Sequence, residues 1–102
     1  MLLSNLSKVI SVNKTYNFNK NKYFNTITSN SKFTNNKTLF IYDKNTKVKR
    51  IYLDEALKNK TPAIISNKYI YNLKIPQFIV CNINYETYSL LNKLHNNLPF
   101  KT

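Results

Sequence analysis

The chain has 102 residues, a formal net charge of +12 from sixteen basic and four acidic side chains, no glycine and a single cysteine. That is room for one small domain at most. It excludes glycine-rich phosphate loops, dinucleotide fingerprints and a disulfide framework and, with no Cys/His spacing around Cys81, a zinc site.

Fifteen of the basic residues are Lys, Arg50 is the only Arg, and eighteen residues are Asn. Lys, Asn, Ile, Tyr and Phe have A/T-rich codons, whereas Gly, Ala, Val, Asp and Glu codons begin with G. An A+T-rich genome therefore accounts for part of the charge. The cation density itself attracts phosphate backbones or anionic membranes. With no glycine present, backbone positions that need a positive φ must fall to Asn or Asp.

In chain order, MLLSNLSKVISV reads as a short amphipathic helix, with Leu2, Leu3, Leu6, Val9 and Ile10 near one face and Ser4, Ser7, Lys8 and Ser11 mostly opposite. An acid-free, Ser-bearing start of this kind resembles a mitochondrial targeting sequence without its usual Arg. No apolar run approaches the roughly 20 residues needed to cross a bilayer, so the chain is not expected to be transmembrane. Residues 13–37 are polar, basic and of low complexity, with Tyr16, Phe18, Tyr23, Phe24 and Phe33 set among Asn and Lys. This composition predicts a basic arm, extended on a partner and disordered alone. The expected division is therefore an N-terminal segment, 1–37, and a small α+β body, 38–102. About 65 residues make a marginal core without a partner surface.

Within the body, KTLFIY and KVKRIYL are β-type runs separated by Asp43, Lys44, Asn45 and Thr46, which predicts a β-hairpin. A helix is expected over 53–60, capped by Asp54, with Lys58 and Lys60 complementing its C-terminal dipole and Thr61-Pro62 ending it. Ala63-Ile64-Ile65 reads as a short strand. Tyr69, Tyr71, Leu73 and Ile75 alternate with Ile70, Asn72 and Lys74, the period of a half-buried strand. Pro76-Gln77 breaks it, and FIVCNI is the next strand, with Cys81 expected as a buried thiol. A C-terminal helix over 85–95, capped by Asn84, would turn Tyr88, Leu91, Leu94 and Leu98 inward with Leu90 beside them.

The chemistry this pattern offers is anion binding. Lys44, Lys47, Lys49 and Arg50 cluster around the hairpin, and Lys14, Lys20, Lys22 and Lys32 run along the arm, each cation suited to one phosphate. The arm aromatics Tyr16, Phe18, Tyr23, Phe24 and Phe33 would either stack on unpaired bases or anchor in pockets of a protein neighbour. With four carboxylates and His95 alone, little general acid–base machinery is available, so no enzyme activity, metal or cofactor is expected. In composition the whole chain resembles small ribosomal proteins of organelles with A+T-rich genomes, which implies rRNA and neighbouring ribosomal proteins as partners and a mitochondrial or other organellar location, with the cytoplasm as the alternative. A different class stays open: an accessory structural subunit of a mitochondrial membrane complex, such as a respiratory-chain enzyme, with the amphipathic start at the membrane interface.

Overall fold

Strands covered on both faces are apolar throughout, because each side packs against other chain segments. Thr38–Tyr42 (β3) and Ile64–Ser66 (β4) have this character, every residue in them being buried. In the computed structural model of the protein, which describes residues 1–18, 22–43 and 50–96, these two strands run side by side in parallel, Phe40 opposite Ile64. Gln77–Ile79 (β5) extends the sheet in parallel beyond β4, and Thr26–Thr28 (β2) does so beyond β3. Lys14–Tyr16 (β1) lies antiparallel along β5 with Tyr16 opposite Gln77, which gives a five-stranded sheet of order β1-β5-β4-β3-β2.

From β2 to β5 the chain steps across the sheet in one direction, and right-handed crossovers then place every connection on the same face. The β2–β3 connection holds a 3-10 turn, Ser31–Phe33. The β3–β4 connection holds a helix, Arg50–Lys58 (α1). The β4–β5 connection, 67–76, contains no helix. On this face Phe40, Tyr42 and Ile64 pack with Leu53 and Ala56 of α1 and with Ile70 and Leu73. On the other face Leu39, Ile41, Ile65 and Phe78 pack with the N-terminal 3-10 turn Leu3–Lys8 and with the C-terminal helix Ile83–Asn96 (α2), through Leu3, Leu6, Ile83 and Leu90. The mixed architecture of short strands with a C-terminal helix is thus present.

The extended basic arm is not. Residues 14–16 and 26–28 are strands of the sheet, and Leu3, Leu6, Ile10, Phe24 and Ile27 all lie in the core. The apolar stripe of the first twelve residues docks on the protein's own sheet, as a 3-10 turn rather than an α-helix. The radius of gyration, 12.7 Å, is that of a compact domain of this length, about 13 Å.

The hairpin is also revised. Its turn at 44–46 and the lysines at 44, 47 and 49 lie outside the described residues, but its second strand is ruled out from Arg50 onward by α1. Strand β3 already has neighbours on both edges. The β-prone Ile51 and Tyr52 become helical because that winding buries Leu53 and Ala56 against the sheet, a case of tertiary packing overriding propensity. Asp54 therefore sits inside the helix and pairs with Arg50 one turn earlier, at 3.3 Å, instead of capping it. At the other end Thr61 N–H donates to Ala56 C=O and Lys60 N–H to Leu57 C=O, a Schellman closure with Lys60 in the left-handed region at φ 67°. Lys60 departs from the expectation that such positions fall to Asn or Asp, which Asn17 and Asn72 meet at the other positive-φ positions among the described residues.

No strand forms over 69–75. Ile70 and Leu73 turn inward while Tyr69 and Tyr71 stay exposed, so the alternation does not mark a sheet face. What holds this segment is Gln77: its Oε1 accepts from Ile70 N–H and its Nε2 donates to Ile70 C=O, both at 2.9 Å. The fully buried side chain thereby acts as a strand partner for one residue. Helix α2 begins two residues earlier than expected, with Asn82 Oδ1 accepting from Tyr85 N–H. Its inner face is Ile83, Glu86 and Leu90, with Leu94 partly buried, while Tyr88 and Leu91 point outward. The rotation follows from Glu86, whose carboxylate is buried because Ser11 N–H donates to it. Leu98 lies outside the described residues. Cys81 is exposed, a correction to its expected burial, and its Sγ accepts from Asn13 Nδ2.

Candidate nucleic-acid interface

All four carboxylates find partners within the chain. Asp54 pairs with Arg50, Glu55 accepts from Ser31 Oγ, Glu86 from Ser11 N–H and Asp43 from Asn67 Nδ2. Glu55 belongs to a small polar network in which Asn59 Nδ2 also reaches Ser31 C=O and Thr34 Oγ1, tying the β2–β3 connection to α1. These acids serve the fold and leave the lysine surface largely uncompensated. Among the described residues, Lys8, Lys14, Lys32, Lys37, Lys68, Lys74 and Lys93 are exposed with no carboxylate within ion-pair distance.

The residues singled out from sequence separate into groups. Lys14 is exposed on β1, and Lys32 is exposed beside Phe33 in the second 3-10 turn. Lys22 is half-buried and its Nζ donates to Pro62 C=O. Arg50 is exposed but engaged with Asp54. Lys20, Lys44, Lys47 and Lys49 lie outside the described residues. Of the aromatics, Phe24 is completely buried and is core, not interface. Phe33 and Tyr23 are exposed at separate places. Tyr23 shares an open groove of about 270 Å³ with Lys22, Asn36, Lys60 and Pro62.

Tyr16 is brought together with two residues that sequence reasoning placed in a strand, whereas Phe18 packs elsewhere. Tyr16 stands opposite Gln77 in the β1–β5 ladder and so shares its face of the sheet. Its ring lies 4.7 Å from that of Tyr69, which in turn meets Tyr71 edge to face at 5.2 Å. Phe18 leans on the rim of buried Phe78 and remains half exposed. Tyr71 is 76% exposed. Lys14, on the same strand face as Tyr16, and Lys68 and Lys74, in the same connection as the two tyrosines, border the row. The signal that could have found Tyr69 and Tyr71 is their company: Lys68 and Lys74 around a Tyr-x-Tyr pair repeat the aromatic–lysine texture of residues 13–37.

A second open groove, of about 580 Å³, runs between the N-terminal turn and the end of α2, with Met1, Val9 and Leu94 as its apolar lining and Lys8 and Lys93 on it. Among the described residues no group of three His, Cys, Asp or Glu is placed to hold a metal ion, and no helix is long and apolar enough to cross a membrane. The chain matches no protein-family model, and no curated protein is found similar to it.

Proposed function

We propose that the protein is a structural, RNA-binding component of a ribonucleoprotein, a small ribosomal protein of an organelle that lays its lysines against rRNA phosphates. The observation that carries this reading is the disposition of charge. Sixteen cations face four carboxylates, of which Asp54 pairs with Arg50 at the surface and the other three accept hydrogen bonds from neutral groups of the chain. A free monomer with that surface repels itself, and a polyanion relieves the repulsion while releasing counterions. The A+T-rich codon signature supports the organellar setting. The competing role at a membrane complex relied on the amphipathic start, whose Leu3, Leu6 and Ile10 are taken up by the protein's own core.

The test is where the protein sediments in its native source. Tagged protein should travel with one ribosomal subunit and leave it on RNase treatment or in high salt, and binding of the purified protein to RNA should weaken by about 0.7–0.9 log units per log unit of salt for each phosphate contacted. Co-migration with a respiratory or other membrane complex, insensitive to RNase, would overturn the proposal.

A further inference from the structure

Tyrosine rings that are exposed, held in place and surrounded by uncompensated cations are the elements of a stacking platform; at the β1 edge Tyr69 and Tyr71 are exposed, and the half-buried Tyr16 backs them. We infer that Tyr16, Tyr69 and Tyr71 bind the unpaired bases of single-stranded RNA, while Lys14, Lys68 and Lys74 meet its phosphates. This rests on the RNA-binding reading above and goes further, naming the site and the state of the RNA it takes.

The row is held by contacts from three parts of the fold. Tyr16 is fixed by the antiparallel ladder with β5. Ile70, between the two tyrosines of the connection, has both backbone groups clamped by the buried Gln77 side chain. Asn17, in the left-handed region, donates from Nδ2 to Leu73 C=O at 2.7 Å, so the turn after β1 is tied to the turn after Tyr71. Rings held in this way lose little further freedom when a ligand arrives, which favours binding. Tyr71 meets Tyr69 edge to face and keeps most of its own surface open, leaving a ring face for a base.

Charge decides between RNA and a protein partner. Aromatic anchors in protein interfaces lie in patches depleted of lysine, whereas here three exposed lysines border the rings and, among the described residues, none of them has a carboxylate within ion-pair distance. Geometry decides between single and double strands. Bases in an A-form duplex are stacked on one another and present no free face to a side chain, while those of loops and ends do. Base–aromatic stacking tolerates any base, so the platform reads the unpaired state and not the sequence.

The experiment compares the full chain with its Tyr71→Ala and Tyr71→Phe variants, measured against a single-stranded oligouridylate, an abasic oligomer of the same length and an RNA duplex. Because Tyr71 is exposed, neither substitution threatens folding. Tyr71→Ala should weaken oligouridylate binding roughly tenfold, Tyr71→Phe should leave it near the parent value, and neither should change binding to the abasic oligomer or the duplex. Lys68→Ala and Lys74→Ala should weaken all three ligands and each lower the salt slope by about one. Salt-dependent RNA binding that is indifferent to Tyr71→Ala would overturn the stacking site and leave the RNA-binding reading standing. Absence of binding to any of the three ligands at low salt would overturn both. Loss on Tyr71→Ala of association with an RNA-free protein of the same assembly, with oligouridylate binding intact, would overturn the platform in favour of a protein anchor.

Discussion

Two connections in this protein do the same topological work and are built on different principles. The β3–β4 connection crosses the sheet on α1, which buries Leu53 and Ala56 and is braced by Glu55 and Asn59 against the 3-10 turn Ser31–Phe33. The β4–β5 connection crosses the same face without a helix. Its buried apolar side chains are Ile70, Leu73 and Pro76, and it is held by side chains from elsewhere, Gln77 from β5 and Asn17 from the end of the edge strand. A helix satisfies its own backbone and asks only for an apolar stripe to be covered. An irregular segment must have its backbone groups met one by one, but in return it can turn consecutive side chains outward. That freedom is what exposes Tyr69 and Tyr71 beside Lys68. The crossover that gives up regular structure is the one that exposes the tyrosine pair.

If the contrast is right, damage to the two connections should spread differently. Leu53→Ala, which empties a fully buried position between α1 and the sheet, should cost about 2–5 kcal/mol. It should lower the urea midpoint of the whole protein, because the β3–β4 pairing at the centre depends on that packing. Gln77→Ala removes both partners of the Ile70 backbone and should cost less, about 2–3 kcal/mol, set by the desolvation of two groups left without hydrogen bonds. Its signature is local. Amide exchange at Ile70 and its neighbours should accelerate sharply while the amides of α1 keep their protection, and oligouridylate affinity should fall as the tyrosine row loosens. Equal loss of protection in α1 would show that the two connections form one cooperative unit.

Sequence patterns revealed the parts whose signals are local. The all-apolar runs at 39–42 and 63–65 and the capped, periodic stretch near the C-terminus gave β3, β4 and α2 to within a few residues, because two-sided burial and helix capping write themselves into consecutive positions. Strands β1 and β2 were illegible for the opposite reason. Each has three residues, sits at an edge and is largely exposed, Ile27 being the one buried side chain between them. Their existence depends on partners up to 65 residues away, as in Lys14 opposite Ile79. Phe24 looked like one more ring in a solvated arm and is core because that arm folds back. Gln77, which reads with Pro76 as a strand break, and Glu86, which carries no pattern signal, are both buried with backbone N–H groups of other segments on their oxygens. A buried polar side chain is dictated by the group it satisfies, which no pattern of neighbours reveals. The charge on the surface, by contrast, was legible from composition alone. Its grouping around Tyr16, Tyr69 and Tyr71 was not, since two chain segments meet there.

The smallest expected effect concerns the one place in each connection where, among the described residues, the backbone is left-handed. Lys60 closes α1 at φ 67°, and Asn72 turns the β4–β5 connection at φ 60°. A side chain with a Cβ is disfavoured in this region by roughly 1–2 kcal/mol, least so for Asn, whose short polar side chain tolerates it. Replacing either residue by glycine relieves that strain but loosens the unfolded chain, which takes back about 0.4–1 kcal/mol. For Lys60→Gly the balance is a gain of around 0.5–1 kcal/mol, because the Schellman bonds from Lys60 and Thr61 are made by backbone atoms and survive the change. For Asn72→Gly the two contributions nearly cancel, and the unfolding midpoint should stay where it is or fall slightly. Lys60→Ala separates strain from charge: it removes the same cation yet keeps a Cβ, and should bring no comparable gain. Equal stabilisation by Lys60→Gly and Lys60→Ala in urea denaturation would mean that relief of lysine repulsion, and not the backbone, limits the helical crossover.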